Sequence, residues 1–516
     1  MTGSNGTVPP MGEGDEARVP VGLRRWLIAI SAVAGTDLYA ITQTNVGIAL
    51  PHMQGAFSAA PDQVAWLVTS FVVGTTIMTV LSGWLAARFG RRELFLCSII
   101  GFTIATIACG ASTSLGEAVF WRAMQGVLGA PLIPLGQAIT IDAFPQEKQG
   151  LATSVWAIGS MVGTIFGVLV GGILVEHASW PWIFWINVPV GILVLLSAWL
   201  FVPRVPRDRH RHLDVFGVIA LVVGIGALQL VLNRGERLDW FDSGEIAVEA
   251  TVAALAIFIF AVHSATTLRP FLPPALFANR NFLVGQAMIF TYGALVFLPL
   301  FILPLLLQQI GGYAETDIGR LLAPRGVGFV LSLLIMGPLM NRLDPRLVYI
   351  AGLFALVAAS WGLAFGTLTI DPWTVVWTSF VQGIGAGVAF VPVSVLAFAT
   401  IDRRLRTEGL AVFHLILNIG TTVGVAVIFN VLTRDLQANR SVLSYFINPY
   451  NKVLGFGGAA ELWDTGEQGG LAALNAEVGR QAAVIAYNDT FFLIGVIAFA
   501  AMPLCLLLKP VRGEAK

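Results

Sequence analysis

The segments "QGVLGAPLIP" (Gln125–Pro134) and "QGIGAGVAFVP" (Gln382–Pro392) occupy corresponding places in two apolar stretches far apart in the chain. A second pair keeps the same interval: "GWLAARFGRRELF" (Gly83–Phe95) and "GPLMNRLDPRLV" (Gly337–Val348), each a short turn headed by Gly with basic residues behind it. In both pairs the partners are offset by eight hydrophobic segments. A chain that repeats itself in this way is built from two related helical bundles, the plan of many secondary transporters.

The hydrophobic segments follow from composition. Of 516 residues, 56% are apolar and only 12% are charged, and the mean hydropathy is +0.79, a balance foreign to soluble globular chains. About 20 apolar residues cross the hydrocarbon core as a helix, because backbone groups there must bond within their own segment. Fourteen such spans are expected: 27–50, 64–86, 94–112, 117–141, 150–175, 182–202, 215–232, 245–264, 282–308, 318–340, 347–367, 372–397, 407–432 and 484–508. The repeat groups spans 1 to 6 and 9 to 14 into two six-helix bundles, residues 23–203 and 282–510, with spans 7 and 8 inserted between them in residues 204–281. The expected fold class is an all-α integral membrane protein.

Basic residues set the orientation. With both termini in the cytoplasm, 21 of the 30 Lys and Arg residues fall in inner loops and tails, six fall outside and three (Arg122, Arg320, Arg325) lie within spans. Four of the six outer ones belong to one long loop, which the positive-inside rule discounts. The head, residues 1–22, is Gly/Pro/Ser-rich and reads as a disordered cytoplasmic tail without the order of a signal peptide. Residues 511–516 form a second tail. The net charge is zero, so no global field points to nucleic acid. The three cysteines, Cys97, Cys109 and Cys505, all sit in apolar segments and read as small core residues. Between spans 13 and 14, Thr433–Ala483 is not membrane: it reads as an outer helical hairpin, with "GFGG" and "GEQGG" as turns, serving either as a docking site for a periplasmic adaptor protein or as a lid on the molecule itself.

Several polar groups lie at depths where they are costly. Asp37 is ten residues into span 1, about 15 Å deep, and can carry a proton between the two faces; hydrogen bonding to Thr or Tyr hydroxyls for packing is the alternative. Arg122, near the outer end of span 4, either faces a polar interior with Gln125 beside it, snorkels to the headgroups or pairs with Glu117. His414 in span 13 is a proton relay or a packing residue. Asp317, Arg320 and Arg325 read as an ion-pair set. Gly159, Gly163, Gly167 and Gly171 recur every four residues on span 5, a face that lets another helix approach closely. A central cavity is expected to be lined by Thr42, Gln43 and Asn45 of span 1, Gln125 of span 4, and Gln286, Met288 and Tyr292 of span 9. The aromatics, 33 Phe and 14 Trp among them, suit amphipathic substrates and lipid contact equally.

These residues together resemble the fourteen-span drug:proton antiporters of the major facilitator superfamily, over nearly all of Leu27 to Leu508. Gly83, Leu85, Arg88, Gly90, Arg91 and Arg92 match the signature after span 2, which the resemblance implies is a cytoplasmic gating loop. Arg122, Gln125, Gly126 and Gly129 match the span 4 motif, whose Arg is associated with proton transfer. Gly163, Gly167, Gly171 and Gly172 match the span 5 antiporter motif, and "WPWIFWINVPVG" (Trp180–Gly191) looks like the family's entry into span 6. Three positions depart: Ala87 stands for the gating-loop acid, Val168 for the antiporter-motif proline, and Thr42 for the span 1 Asp. Asp37 lies five residues before Thr42, rotated by about 140° on a helix, so it occupies a different place.

The resemblance implies the major facilitator fold, with Asp37, Arg122 and His414 coupling protons to efflux of hydrophobic or amphipathic compounds across a bacterial cytoplasmic membrane. Export of one endogenous metabolite or siderophore is the alternative. No cofactor is expected, since no Walker-type loop with Lys occurs in an inner loop and the proton gradient supplies the drive. An enzyme needs clustered His, Asp or Glu near an interface; only His210 and His212 are close in sequence, and no metal site is expected. The expected partners are the lipid bilayer, protons and small-molecule substrates.

Overall fold

The computed structural model describes residues 22–145, 148–205, 212–267, 270–340, 342–367, 370–402, 405–447, 463 and 468–508. Residues 1–21, the tail 511–516 and the "GFGG" turn lie outside them, while of "GEQGG", expected as a turn, Gln468, Gly469 and Gly470 instead open a helix. Among the described residues there is no β-strand.

Apolar runs supply the helices, and short polar side chains set where several begin. Ser114, Asp214, Asn279, Asp344 and Asp371 each accept a first-turn N–H that the helix itself cannot satisfy. In the first half the long helices are α1 (Leu23–Phe57), α2 (Trp66–Phe89), α3 (Arg91–Ala111), α4 (Leu115–Gly129), α5 (Leu132–Asp142), α6 (Gln149–His177) and α7 (Asn187–Phe201). The inserted pair is α8 (Val215–Arg234) and α9 (Gly244–Thr266). The second half holds α10 (Arg280–Val296), α11 (Leu298–Gln309), α12 (Glu315–Leu339), α13 (Pro345–Ala364), α14 (Pro372–Phe398), α15 (Arg406–Tyr445) and α16 (Gln468–Ala501).

Every expected span coincides with a helix or a pair of helices. Among the described residues, twelve stretches are long and apolar enough to cross a membrane. The remaining two expected spans coincide with α1 and α6, helices of 35 and 29 residues. Spans 4 and 9, read from sequence as single helices, are each interrupted, at Ala130–Pro131 and at Phe297. Pro131 and Pro299 lie at these breaks, where a missing N–H and a fixed φ interrupt the hydrogen-bond ladder. α15 runs on past Leu432 and α16 starts well before Val484; Arg440 on the first donates to Asn475 on the second at 2.9 Å.

The helices form two bundles with a helix pair between them. In the first, α1 packs on α5, α6 and α7, and α4 on α2 and α3; in the second, α14 packs on α10, α12 and α13, and α15 on α10 and α16. The inserted pair α8/α9 packs on itself, and α8 touches α2 of one bundle and α15 of the other. The larger apolar core fills the second half and takes in Ala138, Trp156 and Ala157 of the first.

Close glycine contacts bear out the repeat. A Cβ on Gly74 would lie 2.7 Å from Ala123 O, and the equivalent atom facing Gly328 is Phe380 O. A Cβ on Gly83 would meet Glu408 Cα at 2.9 Å, and one on Gly337 would meet Leu151 Cα at 3.3 Å. The last two contacts are mirror images of each other, each half laying its loop glycine on the other half's fifth-span helix.

Asp214 shows how the inserted pair is held. Its carboxylate accepts the Gly217 and Phe271 N–H groups at 2.9 and 3.2 Å and lies 2.8 Å from His263 Nε2, tying the start of α8 to the end of α9 and to the linker beyond. Burial pushes this carboxyl up, but the hydrogen bonds from Gly217, His263 and Phe271 outweigh it and hold it below the usual carboxylate value. A depressed folded value means its stabilisation is complete at neutral pH and is lost only as pH falls through that value. Asp214→Ala should therefore cost about 1–2 kcal/mol. The measurement is the thermal midpoint in detergent, and the deficit should be constant from pH 8 to pH 6.

Candidate functional site

Asp37 sits where the glycine face of α6 crosses α1. A Cβ on Gly163 would lie 2.8 Å from Asp37 Oδ1 and 3.1 Å from Asp37 Cα, so only a glycine leaves room for the acidic side chain. Gly159 and Gly167 make the same approach to Val33 and to Thr44 and Asn45. Gly171 continues the face, and Gly172 lies in the same helix. The glycine run is thus the bed on which the acid-bearing helix lies. Asp37 is half-buried; its Oδ1 is shut off from water and accepts no hydrogen bond. In the second half the equivalent contact is Gly420 against Phe290, at 3.0 Å from its Cα, so the carboxylate has no counterpart there.

Arg122 does not pair with Asp37 or with Glu117. It is 1% exposed, donates from Nε to Leu67 O at 3.1 Å and from Nη1 to Gln125 Oε1 at 2.6 Å, and lies 4.1 Å over the Phe71 ring. Gln125 passes the chain on to Thr106 Oγ1 at 2.6 Å, while Glu117 closes the first turn of α4 by accepting from Thr113. A guanidinium so placed is compensated by neutral oxygens and a ring face rather than by a counter-ion. The second half repeats the motif with the cation on another helix. Arg325 is buried and donates to Gln382 Oε1 at 3.0 Å and to Val296 O, and Gln382 is the residue that opens the repeat of "QGVLGAP". The expected ion-pair set therefore divides: Arg320 pairs with Asp317 at 3.3 Å, and Arg325 turns inward.

His414 is also remote from an acid. Its Nε2 is 2.6 Å from Gln137 Oε1, and Gln137 Nε2 donates to Ser394 Oγ at 3.2 Å. Gln137 and Ser394 hold equivalent places in the two repeats, so the bond between them lies where the halves meet. The Trp156 ring packs 5.4 Å from the His414 ring and donates from Nε1 to Thr36 Oγ1 at 3.2 Å. Thr36 is the neighbour of Asp37, so a buried polar chain leads from the acid's helix across to the second half. The three residues expected to act together are thus distributed: His414 lies within this chain, Asp37 is only the sequence neighbour of its first member Thr36, and Arg122 belongs to a separate cluster on α4.

Side-chain bonds between the halves gather at the end that carries Leu23, the Gly90 turn, Asp142 and Arg406. Asp142 at the end of α5 accepts from Arg91 at the start of α3 and, at 3.1 Å, from Arg406 at the start of α15. Gly90 makes the turn before Arg91 with φ 102°, a conformation for which glycine is suited. Arg92 donates to Trp199 O; Arg88 ends α2 without such a bond being described. The Gly90 turn thus has an acidic partner on α5 although Ala87 stands where the resemblance would place an acid.

The expected cavity residues are less open than their polarity suggests. Gln43 is exposed, but Thr42 and Asn45 have no accessible surface. Thr42 donates back to Leu38 O at 2.9 Å, and Asn45 donates to Ile183 O at 3.3 Å. Gln125, Met288 and Tyr292 are buried, the last with its ring 5.6 Å from Phe390. Gln286 is 7% exposed with neither amide atom hydrogen-bonded, which makes it the span 9 residue with unspent bonding capacity. Gln137, Trp156, Ser394, Asp142 and Arg406 carry inter-half contacts, with Thr36 behind Trp156, and were not singled out from sequence. The shared repeat position of Gln137 and Ser394 is the signal that could have found that pair.

The model of the Major Facilitator Superfamily matches residues 32–425. The multidrug export protein EmrB of Escherichia coli (strain K12) is 30% identical over 94% of this chain and 96% of its own length. The fatty acid resistance protein FarB of Neisseria gonorrhoeae is likewise 30% identical, over 94% of this chain and 96% of its own. Among solved structures, the proton:xylose symporter XylE bound to 6-bromo-6-deoxy-D-glucose covers 92% of this chain and 95% of that one, with a TM-score of 0.57 at 15% identity. The human organic anion transporter MFSD10 covers 92% and 99%, with a TM-score of 0.56 at 14% identity; at these identities the likeness is one of fold.

Proposed function

Because the chain belongs to the Major Facilitator Superfamily, it is a multi-pass membrane transporter, and we propose that it exports hydrophobic or amphipathic compounds in exchange for protons. The observation that carries this reading is Asp37, whose Oδ1 lies within the helix packing, unpartnered, on the face that Gly163 keeps open. An anion there is costly without water or a cation, whereas the neutral acid tolerates dry surroundings. Its charge state therefore favours one access state over the other, which is what coupling requires. The names of the relatives, a multidrug export protein and a fatty acid resistance protein, support an apolar cargo.

With fourteen spans and both termini in the cytoplasm, the joined end is the cytoplasmic one, and the structure is the outward-facing state. Arg91, Asp142 and Arg406 then form the inner latch. His414, Gln137 and Ser394 lie just above it. Arg122 with Gln125 braces α4, the helix that precedes the acid-bearing α5 across the Ala130–Pro131 break. The outer hairpin, where α15 and α16 extend beyond the membrane, is the surface on which a periplasmic adaptor docks.

Everted vesicles test the reading. Vesicles holding the transporter and energised by respiration should accumulate a lipophilic fluorescent dye, and nigericin, which collapses the pH difference, should stop it. Accumulation that survives nigericin together with valinomycin, at equal potassium on both sides, removes proton exchange from the mechanism.

A further inference from the structure

We propose that the inserted helix pair forms a second, membrane-facing binding site for lipophilic cations, separate from the passage between the bundles. The site is a groove of about 460 Å³ between α2, α8 and α9, within the usual range for small-molecule pockets, roughly 300–1,000 Å³. Its walls are apolar, among them Ile77, Val222, Leu230 and Val252, and its floor is lowered at Gly226, where a Cβ would already be 3.4 Å from Ile77. One lining residue, Glu249, is ionisable.

The electrostatics of Glu249 define the occupant. Arg234 binds Glu245 at 2.6 Å and Glu249 Oε1 at 2.9 Å while lying 5.1 Å over the Trp66 ring. Two carboxylates share one guanidinium, which leaves an excess negative charge beside the groove. Glu249 is 16% exposed, and its Oε2 is enclosed and accepts no hydrogen bond. A buried carboxylate oxygen with spare capacity in an apolar, bilayer-facing groove is complementary to a delocalised or quaternary cation carrying apolar groups. Such a ligand loses little hydration on entering and reaches the groove from the lipid phase. Free anions and zwitterions without an accessible cation are disfavoured by the same charge.

The test is equilibrium binding without a gradient, on the full chain in nanodiscs, so its outcome is independent of whether transport is proton-coupled. The probe is tetraphenylphosphonium, with tetraphenylborate as the anion of matching shape. Glu249→Gln keeps the shape and should weaken phosphonium binding about tenfold, the loss expected when one charge interaction is removed. Val252→Trp, at the exposed rim, should block it. Borate binding should not fall in Glu249→Gln. Phosphonium binding unchanged in both variants, or phosphonium and borate affected alike, overturns the proposal. So does binding seen in phosphatidylcholine discs only and abolished by phosphatidylethanolamine, which assigns the groove to a lipid headgroup. Thermal midpoints within a few degrees of the parent identify variants that fold.

Discussion

Asp37→Asn is expected to abolish gradient-driven export while leaving a folded protein that still exchanges substrate. The amide has the shape of the acid and fits the space that Gly163 leaves, so packing of α1 on α6 is retained. What is lost is ionisation. Accumulation against a gradient should fall by on the order of 100-fold, the upper range of coupling between two sites. Substrate-for-substrate exchange in proteoliposomes with no pH difference should persist, because it needs no net proton movement. The split between the two assays distinguishes coupling from folding. Wild-type accumulation in the variant removes Asp37 from the cycle; loss of both activities with a lowered thermal midpoint makes it a packing residue.

Asp142→Ala is expected to open the latch. Asp142 is the shared acceptor of Arg91 and Arg406, from α3 and α15, and Arg406 is 8% exposed at its side chain. Hydrogen bonds to charged groups are worth about 1.5–3 kcal/mol each, and the partial exposure of Asp142 reduces this by screening. A net loss of about 2 kcal/mol shifts the balance of access states roughly 30-fold. Spin labels at the exposed positions Phe89 and Leu347 report on opposite halves at this end, and their distance distribution should gain a longer population in the variant. An unchanged distribution means that the Gln137–Ser394 contact and the Trp156 packing hold the halves together without the charges.

The helices were legible because they are long apolar runs, several with a polar starter such as Asp214 or Asp371, and position along such a run needs no tertiary knowledge. The repeat was legible from two short motifs, and it proved to be a repeat of contacts: Gly83 on Glu408 and Gly337 on Leu151. The partners of the deep polar groups were not legible. From sequence, Arg122 can meet a carboxylate, a headgroup or an amide. The fold gives it Leu67 O and Gln125 because α4 turns that face toward α2. Arg325 looked like a neighbour of Asp317 along the chain, but a helix turns successive residues to different sides, and it faces Gln382 instead. Polarity marked Thr42 and Asn45 as cavity residues, yet Thr42 satisfies itself on the Leu38 carbonyl of its own helix and Asn45 is taken up by the Ile183 carbonyl.

Duplication has been followed by a division of labour between the copies. Asp37 faces Gly163 where Phe290 faces Gly420, and the inward guanidinium rides α4 in one copy and α12 in the other. A chimera joining two first halves would therefore bring twin acids and lose the histidine, while one joining two second halves would carry no acid at this site at all. On the coupling proposed above, neither ancestor-like dimer would pair one acid with one histidine as the present chain does.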